Sequence, residues 1–422
     1  MSHDTPAPRA PERDSTLALL REGYAFISNR CDALGSDLFR CRLALRPAIC
    51  LRGAEAAELF YDEARFGRRH ATPGPILAVL QGRGSVATLD DDAHRRRKER
   101  LMRFMTPDRV AAFRDAFAAR WRARAGRWVE EGAEPSVADA AREDLGETAI
   151  AWCGLTLDPA ERRTLIEAAA ACVEGAQPIS VRHFAARRAR AVSDALLGRE
   201  VERVRARPEA APEDSPLRAL ALAEEAGRRL PVAVAVVELQ NLIRPAVAIA
   251  RFVADAAHAL AFEPAERAPL AAGDPEALRA FAWEVRRLYP LFPFVAARAR
   301  GGFAWRGAPF RPGTLAVLDL FGTNRSPALY DRADAFDPSR WRGRRPGPFE
   351  LIAQGGGGFA GHRCAGEWIT QASVEAAAEV LAGLDFEADP AAREVRLDRM
   401  PFEPRDGMRL GAIRRRPART AA

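Results

Sequence analysis

The chain contains almost no lysine. Lys98 is the single lysine among the 64 basic residues of the 422-residue sequence, and the others are arginines. The net charge of +7 is compatible with nucleic-acid binding. However, the arginines alternate with aspartate, glutamate and alanine along stretches of helical composition, a pattern that is typical of solvated helix faces. We therefore expect no nucleic-acid partner.

Cysteine pairs and uncharged apolar runs are also lacking. The six cysteines include no C-x-x-C pair, which argues against a structural zinc site and a disulfide framework, so we expect reduced thiols in the cytoplasm. No early apolar run ends in a small-residue cleavage site. The longest apolar stretch, 230–260, is interrupted by Glu238, Arg244, Arg251 and Asp255. A bilayer tolerates such charges poorly, so the sequence predicts no membrane span.

No linker or internal repeat divides the sequence. It predicts a single domain over 14–411, preceded by a proline-rich disordered tail, 1–13, and followed by a basic tail, 412–422. From 54 to 288, helix-forming residues dominate and apolar residues recur at helical spacing. Strands are predicted for the segments 38–44 and 46–52, which form a hairpin, and for 295–305 and 314–320. The predicted fold is mainly α with a small β part.

A glycine-rich segment contains the most informative cysteine. It reads Gln354-Gly-Gly-Gly-Gly-Phe-Ala-Gly-His-Arg-Cys364, and a predicted helix follows from Gly366. A helix N-terminus and the adjacent Arg363 both favour a thiolate, which is a metal ligand or a nucleophile. On this segment alone, a buried structural cysteine and a cysteine hydrolase remain open. The hydrolase would need a histidine and an acid from elsewhere, because His362 is poorly oriented for that role.

Three motifs in order carry a resemblance to a known superfamily. Glu284-x-x-Arg287 is followed by Phe336-x-Pro-x-Arg340-Trp and then by the glycine-rich segment with Cys364-x-Gly. This order resembles the cytochrome P-450 superfamily. The resemblance implies a single-domain, mainly α cytochrome P-450 fold with heme b, in which Cys364 is the axial ligand of the iron. It also implies that Glu284, Arg287 and Arg340 form a buried charge cluster.

The cysteine segment departs from the usual Phe-x-x-Gly-x-Arg-x-Cys of that superfamily. Gln-Gly-Gly-Gly followed by His-Arg-Cys-Ala-Gly-Glu-Trp-Ile-Thr is instead similar to the bacterial fatty-acid peroxygenases and decarboxylases, although the stretch before Cys364 is about one residue shorter. This resemblance implies that hydrogen peroxide oxidises a fatty acid without an obligatory redox partner.

Arg244 lies in the most apolar part of a predicted buried helix. A buried arginine without a partner is costly, and its neighbours one turn away are not acidic: Gln240, Asn241, Val247 and Ala248. The partner is either an acid on another helix or a substrate carboxylate, which arginine binds bidentately. Pro245 predicts a kink beside this charge.

This helix also lacks the Asp-Thr or Glu-Thr pair that delivers protons in oxygen-activating members of the superfamily. The Arg244-Pro245 pair resembles the peroxygenase branch, which marks both as candidate catalytic residues. It implies that the fatty-acid carboxylate, held by Arg244, does the general acid–base work. This pairing of Arg244 with the substrate carboxylate, here called the substrate clamp, would then place the α or β carbon for oxidation.

The resemblance also assigns cofactor and substrate contacts. His94, Lys98 and Arg68 would hold the heme propionates, with Arg363 as a further candidate, although 94–98 could also be a solvated basic face. The predicted substrate pocket contains Gln81, Ala87, Ile179 and Leu291. At the position of Ala87 relatives carry histidine or glutamine, and the histidine form is associated with decarboxylation to a terminal alkene.

Three functions of other kinds remain as alternatives. They are a monooxygenase fed by ferredoxin and an NAD(P)H reductase, a fatty-acid decarboxylase, and a heme-thiolate binding or sensor protein without turnover. The missing acid–alcohol pair argues against the first alternative.

Overall fold

The structure of the chain is a computed structural model that describes residues 6–177, 180–263, 267–289, 291–397, 400–402 and 404–417. The helices in these residues are α1 (Thr16–Glu22), α2 (Phe26–Leu34), α3 (Ala54–Phe60), α4 (Gly74–Ile76), α5 (Asp91–Met102), α6 (Pro107–Glu131), α7 (Val137–Cys153), α8 (Pro159–Glu174), α9 (Val181–Ala206), α10 (Pro216–Ala221), α11 (Val232–Ala248), α12 (Ala250–Phe262), α13 (Arg267–Ala271), α14 (Pro275–Leu288), α15 (Leu320–Asn324) and α16 (Glu367–Ala382). The mainly α prediction is confirmed.

The strands of the described residues form small sheets. They are β1 (Leu38–Leu43), β2 (Arg46–Leu51), β3 (Phe66–Gly67), β4 (Glu224–Glu225), β5 (Arg228–Arg229), β6 (Phe294–Ala299), β7 (Phe303–Trp305), β8 (Ala308–Phe310), β9 (Leu315–Asp319), β10 (Leu384–Ala388) and β11 (Leu410–Arg415). The largest sheet has the order β1-β2-β9-β6-β3, and β2 runs parallel to β9. The predicted hairpin is confirmed by the antiparallel pairing of β1 with β2.

Helices α11 and α12 are apolar, follow each other directly in sequence and pack in the main core. The segment Val232–Phe262 is long and apolar enough to cross a membrane, but 67% of its most apolar window is buried inside the protein. That burial is what a core helix requires. Pro245 has no N–H to donate to the preceding turn, and the α-helix is interrupted at Ile249, one turn later. The predicted kink at Pro245 itself stays a prediction.

Parts of both predicted tails belong to the folded domain. The N–H of Ala10 donates to the carbonyl of Arg40 (2.9 Å), and the N–H of Arg40 donates to the carbonyl of Pro8 (2.8 Å). Proline lacks only the donor, so its carbonyl still accepts at a sheet edge. At the other end, β11 extends to Arg415 and buries Leu410 and Ile413. The boundaries at 14 and 411 are therefore too narrow.

The predicted charge cluster is confirmed. The two carboxylate oxygens of Glu284 accept from Arg287 at 2.7 and 2.9 Å, and one of them accepts from Arg340 at 3.2 Å. Trp341 adds an indole donor at 2.9 Å. Arg287 also donates to the carbonyl oxygen of Asn324. The cluster therefore fixes α14 to the chain between α15 and α16.

Candidate active site

The glycine-rich segment is shaped by close contacts that side chains would prevent. Gly355 and Gly357 have φ of +97° and +82°, which disfavours other residues. A Cβ at Gly355 would lie 2.8 Å from the hydroxyl of Tyr61, and one at Gly356 would lie 3.0 Å from Ile352. The segment then folds back, so that the N–H of Cys364 donates to the carbonyl of Gln354 at 3.1 Å.

Cys364 lies three residues before α16, and among the described residues one side chain donates to its sulfur. The Gln354 side-chain amide is 3.8 Å from the sulfur and 3.0 Å from the hydroxyl of Thr370. Burial raises the pKa of the Cys364 thiol, and the charge of Lys98 acts in the opposite direction. A thiolate at Cys364 therefore stays a prediction that needs a further stabilising charge. A bound metal ion would supply this effect, because it deprotonates a coordinating thiol.

Arg363 has partners other than the predicted ones. Its guanidinium forms a bidentate pair with Glu367, at 2.6 and 2.9 Å, and donates to the carbonyl of Gly357 at 3.2 Å. Glu367 also accepts from the buried Arg286 at 2.6 Å. Each nitrogen of the Arg363 side chain has one acceptor within the protein, and a contact of this residue with a heme propionate stays a prediction.

Arg68, His94 and Lys98, the residues predicted to hold the heme propionates, lie beside the cysteine segment. The ammonium group of Lys98 donates to the carbonyl of Arg363. The ring of His94 stacks on that of His362 with centroids 3.9 Å apart. The Arg68 guanidinium lies 4.3 Å from the centroid of the Phe60 ring. Within the part of the chain that the structure describes, no carboxylate forms an ion pair with Lys98 or Arg68.

The electrostatics of this group suit an anionic ligand. Burial lowers the pKa of Arg68 and of Lys98, lowers that of His94 to about 4 and lowers that of His362 to about 2. Buried cations without carboxylate partners are costly, and the two propionates of a heme would supply the missing charges. The residues present therefore fit a heme. The sequence reasoning had not assigned His362 to the cofactor, and its only signal was its position two residues before Cys364.

The same two imidazoles offer a second donor set. One nitrogen each of His94 and His362 and one carboxylate oxygen of Glu63 lie within 4.8 Å of one another, so these residues could also hold a metal ion.

Arg244 lies in α11 and has no acidic partner among the described residues. The residue is 8% exposed, one guanidinium nitrogen donates to the side-chain oxygen of Asn241 at 3.2 Å, and Nη1 has no hydrogen-bond partner. Burial, followed by the charge of Arg190, lowers the pKa of Arg244 to about 10, so the side chain stays cationic at neutral pH. Across the described ranges no acid pairs with Arg244, which leaves a substrate carboxylate as the better of the two predicted partners.

A buried polar network, not anticipated from the sequence, surrounds this arginine. Asn241 donates from its amide nitrogen to Glu238 and to Ser85, each at 3.0 Å. Glu238 in turn accepts from Arg97 of α5 at 2.8 Å. These contacts join α11 to the helix that carries His94 and Lys98.

The predicted pocket residues differ in exposure, and one of them lies outside the described residues. Ala87 is exposed in the 3-10 turn Val86–Thr88, next to Ser85. Gln81 ends a π-helical turn, and its side-chain oxygen is buried without a hydrogen-bond partner. Leu291 is buried, and its carbonyl accepts from the hydroxyl of Tyr24 at 2.9 Å. Ile179 lies outside the described residues. A substrate contact for these residues stays a prediction.

Solved structures of similar proteins cover nearly the whole chain. A point variant of cytochrome P450SP alpha (CYP152B1) is 37% identical, with a TM-score of 0.91 over 96% of this chain and 100% of that chain. Cytochrome P450EX alpha (CYP152N1), solved with myristic acid, is 33% identical, with a TM-score of 0.92 over 98% and 100%. Ligand-free OleT is 27% identical, with a TM-score of 0.93 over 98% and 100%.

Two further comparisons are less extensive. The chain is 29% identical over 120 residues to the human mitochondrial 25-hydroxyvitamin D-1 alpha hydroxylase, which is 28% of this chain and 23% of that enzyme. No protein-family model matches the chain.

Proposed function

Because this chain belongs to the CYP152 family of cytochromes P-450, we propose that it is a heme-thiolate peroxygenase that uses hydrogen peroxide to hydroxylate fatty acids. The family confirms the predicted cytochrome P-450 fold. The observation that carries the proposal is Arg244, a buried cation of α11 without an acidic partner in the described residues, at a place where the acid–alcohol pair is lacking. A relative solved with myristic acid supports a fatty acid as the ligand.

The cofactor would be held by residues from two sides of the cysteine segment. Cys364 would ligate the iron of heme b, and Arg68, His94, Lys98 and His362 would face its propionates. The bound heme supplies the iron centre at which the peroxide O–O bond is cleaved. Arg68 and Lys98, buried cations for which the described residues offer no carboxylate ion pair, support this assignment.

Arg244 would bind and orient the substrate. Its free Nη1 and the nitrogen shared with Asn241 form the fork that a carboxylate accepts bidentately. A carboxylate held there can take a proton from hydrogen peroxide and return it to the leaving oxygen, so the chain needs no acid of its own at this point. Pro245 would favour the break in the helix beside the clamp. Peroxide as oxidant also means that no obligatory redox partner is required, and we propose a cytoplasmic location.

The side chain of Ala87 should influence whether the fatty acid is hydroxylated or decarboxylated. Its methyl group can neither hydrogen-bond nor move a proton, so we propose hydroxylation at the α or β carbon over decarboxylation to an alkene. The distance of the clamp from the reacting carbon would select between the two positions.

One experiment separates this proposal from its alternatives. The heme-loaded protein is incubated with myristate and hydrogen peroxide, or with ferredoxin, reductase and NAD(P)H, and the products are analysed by mass spectrometry. Hydroxymyristate formed with peroxide alone is expected. Product only with the reductase system would indicate a monooxygenase, mainly terminal alkene would indicate a decarboxylase, and a bound heme without any product would indicate a binding protein.

A further inference from the structure

Glu238 is a fully buried carboxylate, 0% exposed, to which the proposed reaction gives no role. It accepts hydrogen bonds from three parts of the chain. The backbone N–H of Val86 donates at 3.0 Å, the guanidinium of Arg97 at 2.8 Å and the side-chain amide of Asn241 at 3.0 Å. One carboxylate therefore contacts the turn that carries Ala87, helix α5 and the residue that contacts Arg244.

These partners determine which way the Asn241 amide points. A carboxylate only accepts hydrogen bonds, and a guanidinium only donates them. The NH2 group of Asn241 must therefore face Glu238 and Ser85, and its oxygen must face Arg244. The reverse orientation would set two donors against each other at Arg244 and two acceptors against each other at Glu238.

The negative charge of Glu238 is neutralised by arginines other than Arg244. Arg97 pairs with Glu238 and also with both carboxylate oxygens of Glu225, at 2.7 and 2.9 Å. Arg100 donates to Glu225 as well, at 3.2 Å. These two arginines and two glutamates neutralise one another, and the neutral amide of Asn241 separates them from Arg244. Arg244 therefore keeps a full positive charge for an incoming anion, which a directly paired acid would have cancelled.

We propose that Glu238 is a positioning residue for the substrate clamp. Through the Asn241 amide it holds one nitrogen of Arg244 and leaves Nη1 for the carboxylate of the substrate. This inference rests on the proposed function, because it assigns Arg244 to the binding of a fatty acid. Through Val86, Glu238 also ties the turn of Ala87 to the same helix, so that both sides of the substrate site are aligned together.

The substitution Glu238→Gln tests this role. Val86 and Arg97 both donate to one oxygen of Glu238, so the oxygen of the new glutamine must occupy that position. The NH2 group of the glutamine would then face the NH2 group of Asn241, and the Asn241 amide would have to rotate. Arg244 then loses its acceptor, and the Kd of the heme-loaded protein for myristate should rise about tenfold. Arg97 keeps Glu225, so the fold should remain. Glu225→Gln is the matched control: it also removes a carboxylate from Arg97 but does not contact Asn241, and it should bind myristate as the parent does.

Asn241→Ala keeps Glu238 and removes only the amide. It should weaken myristate binding by a similar factor, and the double variant Glu238→Gln/Asn241→Ala should bind no more weakly than Asn241→Ala. Additive losses, or parent-like binding by either single variant, would overturn the role of Glu238. A parent protein that does not bind myristate would instead refute the proposed function. If Glu238→Gln does not fold, Asn241→Ala alone decides, since parent-like binding by that variant contradicts the proposal.

Discussion

Gln354 donates a hydrogen bond from its side-chain amide to the sulfur of Cys364, at 3.8 Å, and the same nitrogen donates to Thr370 at 3.0 Å. Thr370 belongs to the first turn of α16 and is 1% exposed. Its hydroxyl therefore holds the Gln354 amide next to the sulfur. Hydrogen bonds to a ligating sulfur withdraw electron density from the metal and raise its reduction potential.

Replacing Gln354 by leucine should therefore lower the reduction potential of the heme-loaded protein, because the thiolate becomes a stronger donor. A spectroscopic redox titration measures this shift. Gln371→Leu is the control, since Gln371 lies on α16, as Thr370 does, but contacts Arg286 and Glu375.

Cys364→Ala should abolish the red-shifted absorbance of the reduced carbon-monoxide complex. A variant that keeps this absorbance would show that Cys364 is not the ligand.

The cluster around Glu284 should contribute strongly to stability. Glu284 and Arg287 are buried, and removal of one partner of a buried ion pair leaves the other charge uncompensated. We expect Glu284→Gln to reduce the free energy of unfolding by about 3–5 kcal/mol, measured by denaturant unfolding.

A surface ion pair of the same chemistry provides the comparison. Arg344 and Glu350 form a bidentate pair, but the side chain of Arg344 is 43% exposed. Arg344→Gln should cost less than about 1 kcal/mol. Equal losses for the two variants would show that burial does not set the strength of the Glu284 cluster.

The sequence predicted those features that local pattern or motif order determines. The β1–β2 hairpin followed from alternating residues around Pro47, and the pairing of Glu284 with Arg287 and Arg340 followed from the motifs of the superfamily. In each case the information lies within a few residues or in a spacing that the chain preserves.

The contacts that were missed depend on the tertiary structure. Arg97 and Glu238 are 141 residues apart in sequence, and no periodicity brings them together. The ion pair of Arg363 with Glu367 was also missed, because it depends on where α16 begins. Pairing between Arg40 and the chain near Pro8 is likewise a matter of sheet-edge geometry, which composition does not show.

Asp319 should make stability depend on pH. Burial raises the pKa of Asp319 to about 6, although Gly322 and Ser28 donate hydrogen bonds to its carboxylate. The folded state therefore retains a proton that the unfolded state releases near pH 4, and stability falls as the pH rises from about 4 to about 6. A shift of about two units corresponds to about 3 kcal/mol.

Asp319→Asn removes this titration and keeps both hydrogen bonds, because asparagine can accept from Gly322 and donate to Ser28. Relative to the parent, the variant should gain about 3 kcal/mol of unfolding free energy between pH 3.5 and pH 7. Denaturant unfolding at a series of pH values measures the difference. Parallel curves for the two proteins would contradict the raised pKa.

Arg244→Ala should separate substrate binding from folding. If Arg244 binds the substrate carboxylate, its loss should weaken fatty-acid binding roughly tenfold to hundredfold, which is the range of a charge-assisted hydrogen-bonded pair. It should also nearly abolish peroxide-driven turnover, since the carboxylate that moves the proton is no longer held. Heme content and melting temperature should be maintained, because the variant is relieved of a buried cation that has no acidic partner in the described residues.

Arg187→Ala is the matched control for net charge, because Arg187 is exposed on α9, and it should bind the fatty acid as the parent does. A short carboxylic acid offers a second test in the parent protein. Too small to fill the pocket, it would pair with Arg244 and allow peroxide to oxidise another molecule that has no carboxylate. If Arg244 instead had a structural acid as its partner, Arg244→Ala would leave that acid buried and unpaired. The melting temperature would then fall steeply, and short acids would have no effect on the parent.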